Sequence, residues 1–386
     1  MTPTELKSAF KTAYNQEADA VYFAPGRVNL IGEHTDYNGG SVFPCALSFG
    51  TYLLIRKNGG KTVRFRSLNQ PEVKELGLDQ LTTPLDKIWV NYPLGVFAQF
   101  IKRGIQIKEG FDILIWGNVP NGAGLSSSAA LEVVTAFALN DQLGTDFNRT
   151  VLAQIGQKAE HEFAFVNCGI MDQFASANGA KDHAIHLNCD TLEFELVPVK
   201  LKGVKILISN THSPHKLDSG AYNQRVAECK LAVEQLNKVR PLKYLAELTE
   251  AEFKSIESAI TDVTAHKRAR HVVGEVQRTS DAVKALKAGD LVKFGKLMNA
   301  SHVSLRDDYE VTGPELDTMA EEAWKIDGVI GSRMTGGGFG GCTVSLVKDE
   351  AIDTFIDKVG KAYEAKIGIK PEFYIAEIGD GACKLS

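Results

Sequence analysis

The chain predicts an α+β protein folded in two halves, and three observations lead there. Short β-type runs and helical repeats are mixed in both halves, which suits helices layered on sheets rather than one doubly wound sheet. The pattern restarts near residue 203, placing a boundary at about 190–202 and dividing the chain into residues 1–195 and 196–386. The length of 386 residues, at about 150 per domain, fits two or three such units. No internal repeat, Pro-rich linker or low-complexity tract interrupts the chain.

The elements follow in order. Thr2 and Glu5 stand at capping-box spacing with Pro3 at the first helical position, and Leu6, Phe10 and Tyr14 recur every four residues. The chain therefore opens with a helix lying on a larger body. β-type runs come next at residues 21–23, 52–56, 62–66 and 111–116, separated by glycines and polar residues. Helical spacing covers 127–139 and 151–166. In the second half, 204–209 reads as a buried strand and helical patterns fill most of 221–298. A glycine-rich turn at 336–341 then leads to a strand at 342–347, a helix around 351–365 and a last strand at 373–376.

Composition narrows the class. Apolar residues at 44% and charged residues at 24% are ordinary for a globular protein. A formal charge of −5 excludes a chain held on nucleic acid or anionic lipid by bulk charge, so neither nucleic acid nor membrane is expected as a partner. The six cysteines form no C-x-x-C pair and no zinc-type spacing, which favours reduced thiols in a cytoplasm. Glu5, Lys7 and Lys11 break any signal-peptide core, and no run reaches the ~20 apolar residues that span a bilayer. The expectation is a cytoplasmic protein, with a monomer as the expected state.

Three glycine-rich segments stand out. The first, Pro120-Asn-Gly-Ala-Gly-Leu-Ser-Ser-Ser-Ala-Ala-Leu, follows a strand and opens into a helix. Free N–H groups and the helix dipole there attract phosphate, and a serine hydroxyl suits Mg²⁺. It lacks the lysine of a P-loop, the third glycine of a dinucleotide fingerprint and the G-x-S-x-G of a nucleophile elbow. A plain helix cap is the alternative. The second segment, residues 24–40, sets Arg27, Glu33, His34 and Asp36 among glycines, as hydroxyl recognition in a sugar requires; a solvated polar loop is the alternative. The third, Arg333-Met-Thr-Gly-Gly-Gly-Phe-Gly-Gly-Cys, has five glycines in the six positions 336–341. So much chain entropy points to close packing against a backbone or ligand rather than a simple connector.

In this order and spacing the three segments resemble the signature motifs of the GHMP small-molecule kinases, and Pro25-Gly-Arg-Val-Asn-Leu-Ile-Gly-Glu-His-Thr-Asp-Tyr-Asn is similar to the galactokinase signature. Gly169-Ile-Met-Asp-Gln and the third glycine segment extend the resemblance from about residue 20 to the C-terminus. It implies an N-terminal ribosomal-protein-like domain, a C-terminal ferredoxin-like domain and an active site between them. It also implies transfer of the γ-phosphate of ATP to the C1 hydroxyl of α-D-galactose, with Mg²⁺.

The resemblance assigns roles by position. Asp172 matches the catalytic carboxylate and Arg27 its partner, and the bland reading of Asp172 is a capping or buried acid. Glu33, His34, Thr35 and Asp36 fall on the sugar loop, with Gly169 and Tyr222 as further sugar contacts. Ala221 and Val226 replace residues the family commonly has beside Tyr222 and Arg225. Gly122, Ala123, Gly124, Leu125, Ser126, Ser127 and Ser128 fall on the phosphate loop, Trp89 and Tyr92 border the adenine pocket, and Ser128 and Glu160 match the Mg²⁺ ligands. Two alternatives remain at this point: a galactose- and ATP-binding regulatory sensor with little catalysis, and a related kinase for N-acetylgalactosamine or arabinose. The intact Ser128-Ala-Ala stretch favours an enzyme.

Overall fold

The structure, a computed structural model, describes residues 1–386 apart from 87, 121–123 and 214–218. The capping box forms as expected. The Thr2 hydroxyl accepts from the Glu5 N–H at 3.3 Å and the Glu5 carboxylate accepts from the Thr2 N–H at 2.6 Å, starting helix α1 (Pro3–Tyr14). Its buried stripe Leu6, Phe10 and Tyr14 packs on Val21, Leu54 and Leu114.

These three belong to alternate positions of β1 (Ala20–Asn29), β3 (Pro44–Lys57) and β6 (Phe111–Gly117), with the short β2 (Ser41–Val42), β4 (Thr62–Ser67) and β5 (Lys74–Gly77) between them in sequence. Their neighbours Tyr22, Leu53, Ile55, Ile113 and Ile115 point to the other face. A period of two thus gives this sheet two apolar faces. The second face is covered by α2 (Asn91–Lys102), α3 (Ser127–Gln142), α4 (Arg149–Ala159) and α5 (Met171–Asn178), whose buried residues complete the largest core.

β7 (His183–Asn188) and β8 (Phe194–Pro198) join β2 in a small antiparallel sheet. The second half follows as β9 (Val204–Asn210), α6 (Ser219–Leu236), α7 (Glu250–Ile256), α8 (Val263–Lys287), α9 (Leu291–Ser304), α10 (Gly313–Trp324), β10 (Val329–Thr335), β11 (Cys342–Lys348), α11 (Ile352–Ile367) and β12 (Glu372–Ala376). The strand order β10-β11-β9-β12, all antiparallel, is the ferredoxin-like βαββαβ arrangement with extra helices inserted after the first strand.

The halves are not separately cored. Val28, Leu30 and Phe43 from the first pack with Ile208, Phe294 and Val344 from the second. The final strand β13 (Cys383–Lys384) leaves the second half and pairs with β1 in the first sheet. Among the described residues no helix is long and apolar enough to cross a membrane.

Candidate active site

The site is built where β1, the start of α3 and the start of α5 converge. A register irregularity between Pro25 and Arg27 on β1 turns the Arg27 side chain out of the regular ladder, as a bulge does. Arg27 is buried and grips Asp172, in the first turn of α5, through both oxygens at 2.8 Å each. Its remaining Nη1 donates to the Gly124 carbonyl at 2.8 Å. Ser126 Oγ donates to Asp172 Oδ2 at 2.5 Å. Ser126 also holds φ +63°, left-handed for a non-glycine residue, immediately before α3. Backbone strain of this kind persists only where the surroundings impose it.

A cavity of about 340 Å³ opens over this pair. Arg27, His34, Asp36, Tyr92, Gly124–Ser128, Glu160, Gly169, Asp172, Tyr222, Gly336 and Gly337 line it. On one side Asp36 is brought against the chain at Gly169, where a Cβ would sit 1.8 Å from Asp36 Oδ2. Only glycine permits that approach. Burial, then the Asp172 charge, push the Asp36 carboxyl up to about 6. His34, at φ +61°, bonds Tyr37 Oη through Nδ1 at 2.8 Å and packs 4.6 Å from the Tyr309 ring centre. Burial lowers its pKa well below the usual imidazole range, so the ring is neutral at pH 7. Burial likewise pushes Tyr222 up, keeping its hydroxyl protonated.

On the other side, α4 ends in one turn of π-helix at Glu160–Ala164, a geometry that recurs at functional sites. This turn buries Glu160 and presents its Oε1 to Ser128 Oγ at 3.4 Å. Burial and then Asp172 raise the Glu160 carboxyl to about 7. A hydroxyl and a buried carboxylate, loosely paired and both lining the cavity, are hard oxygen donors of the kind Mg²⁺ takes alongside phosphate oxygens and water. The residues fit the ion.

Three signatures match this chain: the galactokinase galactose-binding signature at residues 8–57, the GHMP kinases N terminal domain at 91–180 and the GHMP kinases C terminal domain at 282–365. The galactokinase of Clostridium beijerinckii is 50% identical over 382 residues, covering 98% of each chain. That of Fusobacterium nucleatum is 51% identical over 384 residues, 99% of this chain and 98% of its own. The chain belongs to the galactokinases of the GHMP kinase family. The crystal structure of Lactococcus lactis galactokinase complexed with galactose superposes with a TM-score of 0.97 at 44% identity, covering 99% of both chains. As a galactokinase the chain is an ATP-dependent sugar kinase, and the sensor and other-sugar alternatives are not favoured.

Most expected galactokinase site residues do meet in the cavity, while Glu33, Thr35 and Trp89 do not line it. Glu33 is fully buried: it pairs with Arg333 at 2.5 Å and accepts from the Gly336 N–H at 2.9 Å and Asn29 Nδ2 at 2.8 Å. Thr35 ties its own loop, its single hydroxyl hydrogen shared between the Gly32 and Ser41 carbonyl oxygens, each 2.9 Å away. Trp89 packs against the first core, while Tyr92 reaches the cavity. Gly122 and Ala123 lie outside the described residues. Sequence reading missed Glu132 and Gln173, which stand behind Glu160. A carboxylate inside the apolar run Ala129-Ala-Leu-Glu-Val-Val was the available signal for Glu132.

Proposed function

We propose that this cleft transfers the γ-phosphoryl group of ATP to the C1 hydroxyl of α-D-galactose, giving galactose 1-phosphate and ADP, with Asp172 and Arg27 as the catalytic pair. The observation that carries the reading is the two-pronged Arg27–Asp172 contact, set between the Asp36–Gly169 side and the serine-lined start of α3.

Phosphoryl transfer depends mainly on positioning and electrostatics. Asp36, His34, Tyr222 and the backbone at Gly169 hold the sugar hydroxyls and aim C1 at Asp172, which accepts the C1 hydroxyl proton. The ATP phosphates rest on the N–H groups that open α3, where the helix dipole is positive, with Ser126, Ser127 and Ser128 beside them. Arg27 offsets charge on the transferring group. Mg²⁺, when bound, supplies further positive charge on the phosphate oxygens, and Ser128 with Glu160 would hold it. Tyr92, which reaches the cavity, borders the adenine. Gly336 and Gly337 cover the site from the second half.

The six free cysteines support a reducing cytoplasm. Division at 1–195 and 196–386 leaves Arg27, Asp36, Ser128, Glu160 and Asp172 in the first half and brings Tyr222, Gly336 and Gly337 to the cavity from the second, with β13 returning to β1.

The decisive measurement is ADP release on adding galactose, run across a panel of sugars. Galactose is expected to be the preferred substrate, and Asp172→Asn to cut turnover by about 10²–10⁴-fold while galactose affinity changes only a few fold. Near-normal turnover in that variant would remove Asp172 from the chemistry. A preference for another sugar at equal concentration would overturn the substrate.

A further inference from the structure

We propose that Gln173 and Glu132 are positioning residues that fix the Glu160 carboxylate for its cation. The proposal rests on the reading that Ser128 and Glu160 hold Mg²⁺.

Gln173 and Glu132 are both fully buried, on α5 and α3. Gln173 Nε2 donates to Glu160 Oε2 at 2.7 Å and to Glu132 Oε2 at 2.9 Å. Both hydrogens of one amide are therefore spent on two carboxyl groups. Glu160 Oε2, also faced by Cys168 Sγ at 3.6 Å, is anchored, whereas Oε1 is left toward Ser128 and the cavity. The arrangement selects which oxygen is available to a metal.

Packing enforces it. Gly156 on α4 leaves the room: a Cβ there would stand 3.1 Å from Gln173 Cγ and 3.3 Å from Glu132 Cβ. Burying a carboxyl group in the apolar interior of α3 costs free energy unless it is hydrogen-bonded. A structural role alone would be met by an apolar side chain, as at Val133 and Ala136 beside it. Gln173 also directly follows Asp172, so a single helical turn sets both the base and the clamp on the metal ligand.

Partners that orient a metal ligand typically change metal affinity by about 10–100-fold when removed. The test is calorimetric binding of the non-hydrolysable nucleotide AMP-PNP to the whole enzyme as Mg²⁺ is varied, with galactose binding measured in parallel. Gln173→Met should raise the half-saturating Mg²⁺ concentration by about tenfold or more, with galactose affinity unchanged. Glu132→Leu should do the same, while Glu132→Gln, which keeps an acceptor for the amide, should behave as the parent enzyme does. An unchanged Mg²⁺ requirement in Gln173→Met, with Ser128→Ala raising it, would overturn the proposal and leave the metal site standing. An unchanged requirement in Ser128→Ala and Glu160→Gln as well would overturn the metal site itself. Should Gln173→Met fail to bind galactose, the Glu132 pair decides: equal Mg²⁺ requirements in Glu132→Leu and Glu132→Gln would overturn the proposal.

Discussion

On the proposed reading Asp36 accepts hydrogen bonds from sugar hydroxyls, most strongly when ionised, yet burial and the nearby Asp172 raise its carboxyl from 3.8 to about 6. The sign of the consequence follows from linkage. A folded-state pKa above the unfolded one means that the empty protein takes up a proton as pH falls from above 6 toward 3.8. Over that window the empty fold gains stability relative to the unfolded chain, while the sugar loses its acceptor. Galactose affinity should be flat above about pH 7 and weaken by about tenfold per unit well below 6. Calorimetric titrations from pH 5 to 8 measure this directly. Asp36→Asn should bind more weakly and show no such step, and a flat parent profile would show that Asp36 does not carry the hydroxyl contact. The sequence made the chemistry of Asp36 visible through its motif, but not its shifted ionisation. That shift arises from burial and from the charge of Asp172, more than a hundred residues away. Glu33 shows the opposite case. It shares the same motif, and only the fold reveals that Arg333 and the Gly336 N–H occupy its oxygens.

Elements carried by strong periodicity were legible: α1, β4, β6, α3, β9, α8, β11 and α11 fall where the apolar spacing places them, whereas β1 and β3 extend well beyond the expected 21–23 and 52–56, β1 taking in the start of the glycine-rich segment at 24–40. Those that escaped have physical reasons. α5 spans eight residues, too short for a period to show, and β2 and β13 span two each. β10 carries Gly331, Ser332 and Arg333, all buried, so its sequence reads as polar although it lies against α9. The glycine turn after β10 was legible as a close approach, and the structure shows what it approaches. At Gly336, φ is +87°, and a Cβ would stand 3.1 Å from the Gly124 carbonyl oxygen and 3.5 Å from Arg27 Nη2. Gly336→Ala should therefore disturb the Arg27 end of the proposed catalytic pair as well as strain the backbone. We expect turnover to fall about tenfold or more and stability to drop by about 1–3 kcal/mol. Gly104→Ala is the control: its φ is +82°, but nothing lies within 4 Å of the added Cβ. That variant should lose stability alone. Equal turnover in the two variants would uncouple the turn from the chemistry.

At the scale of the whole molecule, the shared core and the returning β13 make the two halves one body, and a buried ionic network lies across their junction. Arg333 on β10 is fully buried. It pairs with Glu33 from the first half and stands 3.9 Å from Glu275 on α8. Glu275 in turn accepts from the Gly32 N–H at 3.0 Å, tying the glycine-rich segment at 24–40 to the second half. Burial would raise Glu275, but the charges of Arg278 and Arg333 outweigh it and hold its carboxyl down to about 2. Glu33, with Arg333 as its ion-pair partner, is instead pushed up by burial. The two carboxylates are thus unequal in what they would lose. Removing one partner of a buried pair leaves an uncompensated charge and costs about 3–5 kcal/mol, whereas replacing the whole pair by neutral groups can be nearly neutral. Arg333→Met should accordingly lower unfolding free energy by about that amount in urea titration. Glu275 keeps Arg278 at 2.7 Å, so the penalty should fall mainly on Glu33. The double variant Arg333→Met with Glu33→Gln should then recover a large part of the loss, measured as a coupling energy in the double-mutant cycle. A recovery of nothing would mean that Glu275, not Glu33, is the charge that needs Arg333. A single-variant loss under about 1 kcal/mol would mean that water reaches the junction and the halves are held by their shared apolar core alone.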